Sequence, residues 1–185
     1  QELTLSIPMK KYFSLLIFTT ALVNAENWAQ FRGPNGAGIS AEKGIPIKWT
    51  AKDYKWQVKL PGIGHSSPIV WEDRVIVTSA ANKGEKRFIE CYRADTGKPV
   101  WSKELGGATH PKHGLNSFAS STPVTDGKMV YVSWGDNDEY FIVAHDFKSG
   151  AEKWRTQLKP SLSKHGHGTA VSPVLFEDLV IILNE

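Results

Sequence analysis

The chain has 185 residues, of which 41% are hydrophobic and 22% charged, and its net charge is +3. Such a composition belongs to a globular protein of about one domain and excludes a disordered chain. With so small a charge and no Lys/Arg run, a surface that tracks nucleic-acid phosphates is excluded too.

The first residues read as a leader. Gln1 to Pro8 precede Met9 and are read as an upstream extension that is not native. Met9-Lys10-Lys11 supplies a start and a positive n-region, and Tyr12 to Leu22 an apolar stretch too short to span a bilayer. Val23-Asn24-Ala25 fits a signal-peptidase site, so residues 9–25 are predicted to be a signal peptide cleaved after Ala25. The mature protein is therefore expected to be exported, periplasmic or extracellular, and not membrane-spanning. Residue 26 is Glu, not a lipid-bearing Cys. Residues 26–54 form a Gly/Pro-rich arm, in which Trp28 and Phe31 are expected to pack across the body rather than stay exposed.

Residues 55–185 are repetitive. Three segments align: His65-Ser66-Ser67-Pro68-Ile69-Val70, Ser120-Ser121-Thr122-Pro123-Val124-Thr125 and Ala170-Val171-Ser172-Pro173-Val174-Leu175. Each couples small residues, a proline and a short apolar strand to an acidic turn and a second apolar strand. Four strands are predicted per unit. In the first they cover residues 67–71, 75–79, 88–93 and 99–105, and in the second 122–125, 129–133, 140–146 and 152–158. Glu72-Asp73-Arg74 and Asp126-Gly127-Lys128 have hairpin chemistry. Beyond Ala25 no helical period occurs, so the pattern predicts an all-β protein of four-stranded antiparallel blades, a β-propeller. Lys55 to Leu60 reads as an outer strand without preceding partners. The series stops inside a strand pattern, which gives an expectation of about two and a half blades with further strands beyond Glu185. Such a part-ring is expected to expose apolar faces.

Between the third and fourth strands the second unit reads A-x-D-x-x-S-G-x-x-x-W, from Ala144 through Asp146, Ser149 and Gly150 to Trp154. The first unit reads C-x-R-x-x-T-G-x-x-x-W, from Cys91 through Arg93, Thr96 and Gly97 to Trp101. Both resemble the tryptophan-docking motif of pyrroloquinoline-quinone (PQQ)-type propellers. Asn27-Trp28-Ala29-Gln30-Phe31-Arg32-Gly33-Pro34-Asn35-Gly36 is similar to the W-x-Q-F-R-G-P-x-G opening of secreted PQQ-like propellers. The resemblance implies that Gly97 and Gly150 turn the chain and that Trp101 and Trp154 lie between blades. Arg93 in place of Asp puts the first turn's hydrogen bonding in question.

Chemistry-bearing residues gather before the innermost strands: His65 before the first, His113 and Asn116 before the second, His165 and His167 before the third. In a propeller these lead-ins lie at one mouth of the channel, so the five are candidate ligand or metal residues. Imidazoles suit zinc, copper, iron or a carboxylate-bearing ligand. The alternative is that they cap turns and bond to one another. Gly135-Asp136-Asn137-Asp138-Glu139 is an acidic loop without EF-hand spacing, read as a solvated hairpin loop. Cys91 is the one cysteine; it excludes an intrachain disulfide and a Cys-based zinc site, and is expected to be a buried hydrophobe.

Two functions stay open. One is a non-catalytic scaffold that binds a protein or small molecule; it resembles in fold the propeller lipoprotein of the outer-membrane β-barrel assembly machine. The other is a PQQ- or metal-dependent oxidoreductase, quinoprotein dehydrogenase-like, whose decisive residues are expected in a C-terminal part beyond Glu185. Quinoprotein dehydrogenases hold PQQ with Ca²⁺ and typically carry an adjacent Cys pair and a catalytic Asp; no such pair occurs here. PQQ is thus implied by resemblance only, and no residue is assigned as catalytic.

Overall fold

The computed structural model describes residues 26–135, 139–159 and 167–183. Residues 1–25, on which the expected signal peptide falls, Asp136 to Asp138 of the acidic loop, and His165 lie outside them. The architecture is all-β. Blade 1 comprises β1 (Ile69–Trp71), β2 (Arg74–Ala81), β3 (Lys86–Arg93) and β4 (Pro99–Gly106). Blade 2 comprises β5 (Val124–Thr125), β6 (Met129–Gly135), β7 (Tyr140–Asp146) and β8 (Glu152–Leu158). A hairpin of β9 (Val174–Phe176) and β10 (Leu179–Ile181) follows. Each blade is an antiparallel meander in chain order, β1-β2-β3-β4 and β5-β6-β7-β8. Among the described residues the helical segments are three short 3-10 turns, and no helix is long and apolar enough to cross a membrane.

The two innermost strands are shorter than the hydrophobic pattern predicts. Pro68 and Pro123 have no N–H for a ladder. The N–H one residue earlier is used differently: Ser67 N donates to Thr122 Oγ1 (2.9 Å), and Thr122 N donates to Ser172 Oγ (2.9 Å). These three hydroxyl residues form a row that joins the lead-ins of all three units. Strands β2 and β6, in contrast, run two residues further than predicted. Their extra residues pair with β3 and β7, as in Ala81 with Lys86 and Gly135 with Tyr140.

The main core lies between the blades. Ile69, Ile76, Ile89, Cys91 and Trp101 of blade 1 meet Val130, Val132, Trp134, Val143 and Phe147 of blade 2. Strand alternation selects these sets, since successive side chains point to opposite faces. The same alternation turns Trp154 of β8 the other way, toward the β9–β10 hairpin, where it remains 40% exposed.

Each outer-strand tryptophan that precedes a blade reaches that blade's turn. Trp101 Nε1 donates to Phe147 O (3.0 Å) and its ring lies over Gly150, where an added Cβ would stand 2.6 Å from the ring. Trp56 Nε1 donates to Ala94 O (2.9 Å) and its ring covers Gly97 in the same way. Both glycines have φ near +67° (67° and 68°), which only glycine adopts without strain. Residues 55–60 form no ladder; they run extended with Trp56, Val58 and Leu60 half-buried.

Arg93 does not disturb its turn. Gly97 N donates to Arg93 O (2.8 Å) as Gly150 N does to Asp146 O (2.8 Å). The guanidinium instead takes Asp95 in bidentate fashion (2.9 Å for each contact) and Asp73 (2.8 Å).

The arm crosses the inner edges of both blades. Trp28 and Val70 exchange both backbone hydrogen bonds (2.8 and 2.9 Å), and Thr125 N donates to Ala29 O (3.0 Å). Trp28 packs on Gly33, but Phe31 does not pack as predicted; it is 49% exposed. The physical reason is the tight loop that follows, which uses positive φ at Arg32, Gly33, Asn35, Gly36 and Gly38 and turns Phe31 outward.

Candidate functional site

The lead-ins meet at one end of the blades. Ser66 and His65 both donate their N–H to Ala119 O (3.0 Å each), and His65 N also reaches Ser117 Oγ (3.1 Å). Gly64 permits this approach, because a Cβ there would lie 3.1 Å from Ala119 O and 2.7 Å from Thr78 O. Across the next junction, His113 N donates to His167 O (3.3 Å) and Asn116 Nδ2 donates to the same oxygen (2.6 Å). The His113 and His167 rings stand edge to face, with centroids 5.6 Å apart.

Asn116 is a structural hub. Its Oδ1 accepts from Ser117 N (2.8 Å) and from Ser120 Oγ, and its amide holds the third lead-in. Lys112 Nζ donates to Asn116 O (2.7 Å) and sits 5.5 Å from the Phe118 ring. Of the sequence candidates, the structure therefore brings His113, Asn116 and His167 into contact. His65 shares a cavity with Asn116 but not the ring contact.

The hydrogen bonds also fix tautomers. Leu115 N donates to His113 Nδ1 (3.1 Å), so the neutral ring carries its proton on Nε2. A metal taken at Nε2 would require the opposite arrangement, with Nδ1 protonated. His113 is thus set up as a donor. Among the described residues no three His, Cys, Asp or Glu side chains stand together as a metal site.

An open cavity of about 720 Å³ lies beside the lead-ins. Its lining combines Phe31 and Arg32 of the arm, His65, Leu115, Asn116, Ser120, and Val171 and Val174 at the third lead-in. This size falls in the range of small-molecule sites, which are mainly apolar with a few polar groups. Of these lining residues, His65 and Asn116 are candidates from the sequence, whereas Arg32 and Ser120 are not. The row of hydroxyls before each proline was the readable signal that aligns the lead-ins.

Cys91 and His145 lie elsewhere. Cys91 is fully buried in β3, and burial pushes its thiol up to about 11. His145 is 1% exposed; Nδ1 donates to Gly150 O (3.0 Å), Nε2 has no partner, and burial lowers its pKa. Glu90, on the opposite face of β3 from Cys91, accepts from Tyr92 Oη (2.8 Å), and burial raises its pKa.

Residues 49–185 match the family model described as outer membrane protein assembly factor BamB. No curated protein matches the chain. Solved structures similar to it include BamB from Moraxella catarrhalis, at 17% identity and a TM-score of 0.48, covering 69% of this chain and 36% of that one. Another is quinohemoprotein alcohol dehydrogenase ADHIIG from Pseudomonas putida HK5, at 22% identity and a TM-score of 0.37, covering 51% of this chain and 13% of that one. A third is a europium-containing methanol dehydrogenase, at 17% identity and a TM-score of 0.43, covering 56% of this chain and 19% of that one. The chain spans between 13% and 36% of the length of these structures. With its repeats matched over residues 49–185, the chain belongs to the PQQ-like repeat family described as outer membrane protein assembly factor BamB.

Proposed function

We propose that the protein is an exported, non-catalytic propeller that serves as a binding or assembly scaffold, with the mouth cavity as its binding site. One observation carries this reading. Asn116 and Ser120, which line the cavity, and the buried Ser117 are bonded to each other and to the neighbouring lead-ins, forming a braced rim rather than a reactive cluster. Rigid, preorganised loops lower the cost of binding a partner. The family's description as an assembly factor agrees with a scaffold.

The residues present do not fit a quinone in the manner the dehydrogenase resemblance implies. The one cysteine is enclosed between blades with a thiol raised to about 11, so it cannot lie over a cofactor in the channel. Export rests on Lys10-Lys11, the apolar run to Leu22 and the small residues at Ala25.

Incubation with PQQ and Ca²⁺, followed by desalting and a dye-linked alcohol oxidation assay, tests the reading. The expected outcome is no retained quinone and no dye reduction. Retained quinone with substrate-dependent dye reduction would establish the oxidoreductase instead.

A further inference from the structure

The opening motif of the arm explains most of its own residues. Trp28 pairs with β1 and covers Gly33, and Gln30 Nε2 donates to Gly33 O (3.1 Å). Gly33, Gly36 and Gly38 supply positive φ for the loop. The side chains of two residues of the motif, Phe31 and Arg32, are left largely outside this packing. Both are exposed, and both line the mouth cavity.

Arg32 is held in place by its own loop. Gly38 N donates to Arg32 O (2.7 Å), and Arg32 Nη2 donates to Ala37 O (3.3 Å). Gly38 lets the loop close on the side chain, since an added Cβ would stand 3.3 Å from Arg32 Nε. Among the described residues that bond to Ala37 is the guanidinium's only one, and no carboxylate pairs with it. A guanidinium has five N–H donors in a planar fork matched to a carboxylate. Most of the fork is therefore available. The His65 ring, also on the cavity, makes no hydrogen bond among the described residues, and no acidic side chain lines the space. Around these polar groups the wall is apolar, built from Phe31, Leu115, Val171 and Val174.

We infer that the mouth cavity takes a single carboxylate carried on an apolar body, with Arg32 gripping the head, His65 beside it and Phe31 covering the apolar part. One guanidinium without a carboxylate partner, in a cavity with no acid among its described lining residues, matches one carboxylate, not a polyanion. This inference rests on the reading of the cavity as the binding site.

Calorimetric titration of the full chain with straight-chain carboxylates from hexanoate to dodecanoate, and with the matching alcohols, tests it. The acids are expected to bind about ten-fold or more tightly than the alcohols, the scale of a charge-assisted hydrogen bond. R32Q should abolish that preference while alcohol binding persists, and K148Q, on an exposed turn at the far end of the blades, should change nothing. A phenylalanine-terminated tripeptide, compared with its amide, distinguishes a polypeptide C-terminus from a free acid as the source. Acids and alcohols binding equally would overturn the carboxylate inference and leave the cavity a binding site. Binding of neither would overturn both, and the wild-type comparison decides even where a variant fails to fold.

Discussion

Tryptophan does different work at its three docking positions, and burial says how much. Trp101 is 9% exposed, gives its N–H to Phe147 O and fills the space above Gly150. Its replacement by Ala leaves a cavity between blades and should cost about 3–5 kcal/mol in urea unfolding. Trp154 is 40% exposed, so W154A should cost distinctly less in the same measurement. Equal losses would show that the inter-blade cavity does not set the scale. His145 gives a second test at this scale. Burial lowers its pKa in the folded chain, so the unfolded chain takes up the proton first as the solution becomes acidic. Stability therefore falls as pH drops below the ordinary histidine value of about 6.5 and through the lowered folded value. H145Q should flatten the dependence of the urea midpoint between pH 7 and pH 5 relative to the unsubstituted chain.

Strands were legible where side chains alternate, and lead-ins were not. β7 and β8 follow the predicted 140–146 and 152–158 because Tyr140, Ile142 and Ala144 share one face with Trp154, Thr156 and Leu158 across the ladder. A pattern of this kind is local. The ends of β1 and β5 were not readable, since Ser67 and Thr122 spend their N–H groups on hydroxyls more than 45 residues away. The candidate site divides along the same line. His65 and Asn116 stand beside repeat landmarks, whereas Arg32 reaches the cavity only because the arm crosses the inner edges of β1 and β5. Nothing in the periodicity of the arm records that path. The hydroxyl row supplies its own prediction. Thr122 is 1% exposed, and T122V leaves the part-buried Ser67 N–H without its acceptor and should cost about 1 kcal/mol, while T122S retains the oxygen and most of the stability. A valine variant as stable as the serine variant would mean that the row contributes nothing to joining the lead-ins.

A blade buries one face against each neighbour, so a blade face without a described neighbour stays open to solvent. On the β9–β10 hairpin Val174 pairs with Ile181 and Phe176 with Leu179, so four apolar side chains share one face. They are 42%, 46%, 60% and 54% exposed respectively. Trp154, whose ring stands 5.8 Å from that of Tyr131, is a further half-exposed apolar side chain, and β10 has no strand on its outer edge among the described residues. Contiguous apolar area next to an open strand edge favours association, because both the side chains and the unpaired backbone groups gain a partner. The chain is expected to self-associate as concentration rises, which light scattering coupled to size-exclusion chromatography measures directly. Placing opposite charges across the hairpin, with F176K and L179E together, keeps a favourable cross-strand pair while removing the apolar surface. That double variant should elute as a monomer over the same concentrations. Association unchanged by it would locate the contact on another surface, the half-exposed Phe31 and the mouth cavity being next to test.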